Sequence, residues 1–192
     1  MNISAITLTY LSAVFWILPA IRQYKTSLFR YFLVLAVSDL LGLIFYYYLK
    51  IEFSYFYIIV SFCLYVSLQQ FSYIERKKIL FFGGGGLIIA LSFIKLGTTI
   101  DLSILAILHL LIIFRILYLF IMKVAQKQTI NFFYLVLAFY EFTIILKFLN
   151  FLFELKVEAE TYFYITTGFE LLVGIFFTTF REDSQKLVYK LK

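Results

Sequence analysis

The chain contains one cysteine, one proline, one histidine and one tryptophan. Each scarcity excludes a chemistry. A lone Cys63 allows no intramolecular disulfide and no cysteine-based metal cluster, and mid-span it reads as a small packed apolar residue. A lone His109 cannot supply the several histidines of an intramembrane zinc hydrolase. It would also have to act as the sole base of any Ser-His-Asp arrangement, and no Gly-x-Ser-x-Gly stretch positions such a serine. The last apolar run holds no lysine, so a retinal pigment has no attachment point. No polar stretch is long enough to fold a separate soluble domain. No basic run interleaved with polar residues offers a nucleic-acid surface, although the net charge is +6. "GGGG" (Gly83–Gly86) follows no strand and precedes no Lys-Ser/Thr, so it is not a phosphate-binding loop; within a helix it permits close packing or a local break.

What the chain has in excess is apolar surface. Of its 192 residues, 64% are hydrophobic, and its mean hydropathy is +0.97. Twenty-five Phe and 16 Tyr suggest interfacial belts and lipid-facing surface. The apolar residues fall in blocks long enough to cross the roughly 30 Å hydrocarbon core as helices. The expected class is an all-α integral membrane protein with spans near 3–21, 28–49, 53–73, 79–96, 102–122, 130–150 and 161–180. "MNISAITLTY" lacks a charged n-region and a small-residue cleavage site, so it is read as the start of the first span and not as a removable signal. Of the 17 Lys and Arg residues, only Lys50, Lys95, Lys147 and Lys156 fall on one side of the seven spans, and Arg115 falls within a span. All others fall on the opposite side, the tail "REDSQKLVYKLK" included. Basic residues gather on the cytoplasmic face, which places the N-terminus outside and the C-terminus in the cytoplasm.

Two phrases recur. "SYFYIIVSF" (Ser54–Phe62) opens the third span and "TYFYITTGF" (Thr161–Phe169) opens the seventh. "YFLVLAVSD" (Tyr31–Asp39) lies in the second and "FYLVLAFYE" (Phe133–Glu141) in the sixth. The offsets nearly agree, and the difference falls in the "ELKVEAE" loop, where an insertion is tolerated. The expected plan is one transmembrane domain made of a three-helix repeat (1–78), a linker helix (79–99) and a second three-helix repeat (100–192). One extra crossing restores the starting side, so the repeats are parallel.

This three-plus-one-plus-three plan, with "LPAIRQYKTS" (Leu18–Ser27) as a proline followed by a polar, basic exit from the first helix, resembles the SWEET, PQ-loop and KDEL-receptor type of seven-helix protein. The Pro-Gln dipeptide of that group is absent, and Pro19 has no counterpart in the second repeat. The resemblance implies a small-solute transporter, or a solute-binding relative, with its site between the two triplets.

An ionisable group at the bilayer centre costs at least about 2.5–3.5 kcal/mol and so has a partner or a task. Asp39, Glu141 and Glu170 fall near span midpoints, the first two at equivalent places in the repeats. His109 and Arg115 lie in the fifth span. These five are the candidate solute-binding or proton-coupling residues; the structural alternative is an interhelical clamp in which Arg115 neutralises a carboxylate. Gln69 and Gln70 sit near the inner end of the third span. Trp16 and Pro19 are the candidate gate or hinge. Arg22, Arg30 and Lys147 lie near span ends and can snorkel to the interface. No metal and no cofactor are expected. The expected partners are the lipid bilayer, an unidentified small solute and, in the alternative reading, a cytoplasmic protein. That alternative is a seven-helix sensor or membrane-anchoring subunit; an intramembrane lipid-directed enzyme using paired carboxylates is a third. The Phe, Ile and Tyr bias suggests a bacterial cytoplasmic (inner) membrane.

Overall fold

Long runs of Leu, Ile, Phe and Tyr, with little Gly or Pro inside them, can satisfy their own backbone polar groups only as helices once water is excluded. A computed structural model describes residues 3–44, 53–69, 75, 77–78, 83–86, 97–153 and 159–191, and most of these are helical. The helices are α1 (Ile3–Phe15), α2 (Ile17–Arg22), α3 (Phe29–Ile44), α4 (Phe53–Ser67), α5 (Thr98–Lys127), α6 (Phe132–Leu152) and α7 (Ala159–Thr179). Six of the seven apolar runs coincide with these helices, α1 and α2 sharing the first. The run at 79–96 lies outside the described residues except for Gly83–Gly86, which are helical. Among the described residues two helices, α5 with 30 residues and α6 with 21, are long and apolar enough to cross a membrane. Only 28% and 33% of their apolar windows are buried, so most of their apolar surface faces outward.

The break between α1 and α2 has a local cause. Pro19 has no N–H for the carbonyl of Phe15, and its ring crowds that turn. Trp16, between Phe15 and Ile17, keeps right-handed dihedrals, φ −66° and ψ −9°, and its N–H still bonds to Ser12 O at 3.0 Å, so the interruption is a local turn in the ladder and not a change of direction. Its indole is 2% exposed and packs on Tyr140 and Phe177, with ring centroids 5.0 and 6.3 Å away. The candidate gate residue is thus part of the core.

The described residues are mostly helical, as expected, with one short addition. The loop strand β1 (Thr129–Asn131) pairs antiparallel with the tail strand β2 (Val188–Lys190), Ile130 opposite Tyr189. Gln128, at φ 49° and ψ 39°, ends α5 in the left-handed conformation and turns the chain into β1. Asn131 then caps α6, its side chain accepting from Phe133 N at 3.0 Å. Hydropathy treats 129–131 and the tail as helix end and loop, because three-residue strands leave no periodic signal.

The helices pack in a closed sequence: α1 and α2 on α3, α3 on α4, α4 on α5, α5 on α6, α6 on α7, and α7 back on α1 and α2. The centre is aromatic. Phe32 stacks on Phe177 at 4.9 Å and Phe133 on Phe177 at 5.0 Å. Tyr31, Phe32, Phe133 and Tyr134, the equivalent pairs of the second repeated phrase, are all 0–1% exposed. That phrase recurs where α3 and α6 each turn an aromatic pair into the same core.

Candidate functional site

Three polar clusters occupy the interfaces between helices. The first is centred on Glu141 of α6, which is fully buried. Its Oε1 accepts from the Tyr31 hydroxyl of α3, and its Oε2 lies 2.6 Å from His109 Nδ1 of α5. His109 Nε2 lies 3.0 Å from Ser61 Oγ of α4, and Ser61 Oγ lies 2.8 Å from the Tyr57 carbonyl oxygen. Only the hydroxyl can donate to that carbonyl, so Nε2 donates to Ser61 and one further proton lies between Nδ1 and Oε2. The pair is electrically neutral as a unit. The order Ser–His–Glu is that of a hydrolytic triad. Here Ser61 is 1% exposed, its proton is directed to Tyr57, and the surrounding α4 amides are engaged in helix bonds. The arrangement suits joining four helices and holding a proton.

The second cluster joins α6 and α7 through one ion pair. Lys147 pairs with Glu170, their side chains 22% and 20% exposed. Asp39 is half-buried within the electrostatic field of both. Tyr57 and Tyr140 feel the same two carboxylates. Lys147 therefore turns inward to a partner instead of snorkelling.

The third cluster joins the α2–α3 turn, the end of α5, the start of α6 and the segment after α7. Its hub is Glu182, which is buried. Glu182 Oε1 accepts from Ser27 Oγ at 2.5 Å, from Lys123 Nζ and from the Tyr134 hydroxyl, and Oε2 accepts from Leu28 N at 3.1 Å. Its backbone N donates to Gln23 Oε1 at 2.9 Å, and its carbonyl accepts from Asn131 Nδ2 at 2.8 Å. Gln23 Nε2 donates to the carbonyls of Phe177 and Phe180. Burial pushes the Glu182 carboxyl up, but the hydrogen bonds from Lys123, Ser27 and Tyr134 and the Lys123 charge outweigh it, and the net pKa is below the usual glutamate value.

The structure brings His109 and Glu141 together, and places Asp39 within the electrostatic field of Glu170. Asp39 and Glu141, which stand at matching places in the two recurring phrases, have different surroundings. Arg115 joins none of these clusters: its Nε donates to Leu68 O at 3.4 Å and its guanidinium lies 5.1 Å from the Tyr118 ring centroid. It meets the end of α4 and neutralises no carboxylate among the described residues. Gln69 is buried there too, its carbonyl accepting from Arg30 Nη2 at 2.9 Å; Gln70 lies outside the described residues. Sequence reasoning missed Tyr31, Ser61 and Glu182. The first two are hydroxyls among many, and Glu182 stands between Arg181 and Asp183 in a tail that reads as solvated. The one available signal was the set of polar residues at span ends, Gln23, Ser27 and Asn131. Among the described residues no three His, Cys, Asp or Glu side chains converge to hold a metal ion. Comparison of the chain with protein-family models, curated proteins and solved structures finds no match.

Proposed function

We propose that the chain is a seven-span integral protein of a bacterial cytoplasmic membrane that binds and moves a small solute at the interface between its two three-helix repeats. One observation carries the reading: the buried polar groups of the span interiors come from both repeats and meet where the repeats touch. Tyr31 and Ser61 of the first face His109 and Glu141 of the second, and Asp39 of the first lies within the electrostatic field of Lys147 and Glu170 of the second. Polar groups inside a membrane face the bundle interior and mark solute or ion pathways. The extensive outward apolar surface supports the membrane setting, with Leu11, Ile21, Ile107, Phe114, Phe151 and Leu172 among many exposed large hydrophobic residues. The test is reconstitution of the full chain in liposomes and uptake of labelled solutes drawn from cationic, anionic and neutral classes. Uptake above empty liposomes for one class supports transport. Equal uptake for every class overturns it.

A second reading has its own support. The segment after α7 is tied by Glu182 and the β1–β2 ladder to the α2–α3 and α5–α6 turns. A sensor or anchoring subunit would use such a tie to pass a helix movement to a cytoplasmic partner. Solute binding without uptake, together with a changed protection of the tail from protease, would favour it.

A further inference from the structure

We infer that the Glu182 cluster is a latch: it holds the first repeat shut against the second at the end of the bundle that carries the tail, and its release opens the seam between the repeats at that end. The inference rests on the reading of a solute path between the repeats and names the device that closes one end of it.

The cluster straddles the seam. Gln23, Ser27 and Leu28 belong to the first three-helix repeat, and Lys123, Asn131, Tyr134 and Glu182 to the second. Glu182 Oε2 accepts from Leu28 N at 3.1 Å, and Glu182 N donates to Gln23 Oε1 at 2.9 Å. Gln23 Nε2 donates to the carbonyl oxygens of Phe177 and Phe180 at 2.9 and 2.8 Å. Beside them Arg22 Nη2 donates to Thr179 O at 3.3 Å. These bonds join residues 154 to 159 positions apart in the chain. Deeper in the same seam the contact is between rings, Trp16 against Phe177 at 6.3 Å. The seam is apolar at those rings and polar at its end.

Three features suit this polar end to opening. First, one side chain carries the joint. Glu182 Oε1 accepts from Ser27 of the first repeat and from Lys123 and Tyr134 of the second, so its withdrawal frees both sides at once. Buried ionic groups are best attested in such switching roles. Second, the joint borders water. The Lys123 side chain is 32% exposed while that of Glu182 is 4% exposed. Each donor and acceptor can exchange its partner for water on opening, which parted apolar surfaces cannot do. Third, the backbone is strained at the two turns that Glu182 joins. Among the described residues the non-glycine positions with positive φ are Lys25 at 65° and Gln128 at 49°. Lys25 lies two residues before Ser27 in the α2–α3 turn, and Gln128 lies three before Asn131 in the α5–α6 turn. Left-handed dihedrals at residues with a Cβ persist where surrounding contacts impose them, and they gather at switch regions.

The experiment uses the full chain, carrying Cys63→Ser, in lipid nanodiscs. Spin labels on Ile21→Cys in α2 and Lys127→Cys at the end of α5, both exposed positions, report the separation of the two repeats at the tail end. The chain with Glu182 intact is expected to show one main separation and a minor, longer one populated at about 0.1–10%. Glu182→Gln is expected to raise the ratio of long to short about tenfold, equal to about 1.4 kcal/mol, with helix content by circular dichroism unchanged. Gln23→Leu, which removes no charge, is expected to move the ratio the same way. Unchanged separations in both variants, each folded, overturn the inference and make the cluster a fixed brace. A second measurement needs neither variant. In liposomes, a reducible crosslink between the two cysteines, formed with Glu182 and Gln23 intact, is expected to abolish solute uptake, and reduction to restore it. Uptake undiminished by a completed crosslink overturns the inference. A longer separation in Glu182→Gln without uptake of any solute class keeps the latch and removes transport. Uptake with unchanged separations keeps transport and removes the latch.

Discussion

At the residue scale the decisive quantity is what each buried charge meets. Glu141 meets partners on two other helices, Tyr31 and His109, and breaking such a pair leaves an uncompensated charge that costs about 3–5 kcal/mol. His109→Ala is therefore expected to lower stability by about that amount, read as a shift in denaturant midpoint in detergent. Tyr31→Phe removes one hydrogen bond to a charged acceptor and is expected to cost about 1.5–3 kcal/mol. A His109→Ala protein that unfolds like wild type would remove the case for this network as a clamp. Sequence reasoning found His109 and Glu141 as polar positions within apolar runs. It could not find that they touch, because contact depends on the rotation of α5 and α6 about their axes, and neither helix records the other's rotation.

At the element scale the fold depends on close helix approach at particular glycines. A Cβ on Gly174 of α7 would come within 3.0 Å of Phe15 Cε1 and 3.2 Å of Phe15 Cδ1. Phe15 ends α1 next to the Trp16 break, so this contact seats the interrupted first helix against α7. A Cβ on Gly168, two turns earlier in α7, would meet nothing within 4 Å. Gly174→Ala is expected to destabilise by about 1–3 kcal/mol through overpacking. Gly168→Ala is expected to stabilise by up to about 1 kcal/mol, because alanine favours the helix and meets no obstacle. Thermal unfolding of the two variants side by side separates these effects, and equal shifts would refute the role of the Gly174 contact. Gly85 presents the same tight geometry toward Phe62, whose Cε1 lies 3.0 Å from a Cβ there, while Gly83, Gly84 and Gly86 face open space. Of the two roles open to "GGGG" on sequence alone, close packing is therefore the one met, and by a single glycine.

At the scale of the whole molecule, Glu182 ties one end of the bundle. Its folded pKa is depressed, so the stability it contributes is complete above the ordinary glutamate value of about 4.3. That stability is lost as pH falls through the lower folded value. Glu182→Gln is expected to be less stable than wild type at pH 7. The gap should close as pH drops below about 4, measured as paired unfolding curves across pH. A gap that persists unchanged at acid pH would mean the carboxylate charge is not what holds the tail. The proposed orientation makes a separate prediction. In a Cys63→Ser background, Thr161→Cys at the start of α7 is expected to react with a membrane-impermeant maleimide added to intact cells. Lys186→Cys in the tail is expected to react only after lysis, and the reverse pattern would invert the topology.

The sequence by itself determined where the helices run and which polar residues interrupt them. Apolar runs, their short polar breaks and the single Pro19 act locally, along a backbone that rises 1.5 Å per residue. The repeated phrases also place an aromatic pair at matching positions of α3 and α6, and both pairs are buried. Only the tertiary structure decided which carboxylate receives which partner. Asp39 and Glu141 stand at matching places in matching phrases, yet Glu141 is enclosed by His109 and Tyr31 and Asp39 lies in the field of an ion pair already formed. The small β1–β2 ladder and the Glu182 hub were decided at that level too, because they join segments far apart in the chain, Asn131 and Glu182 being 51 residues apart. Side-chain pairing across a bundle follows from the order and rotation of neighbouring helices, and hydropathy, which is a sum over one segment at a time, carries no information about either.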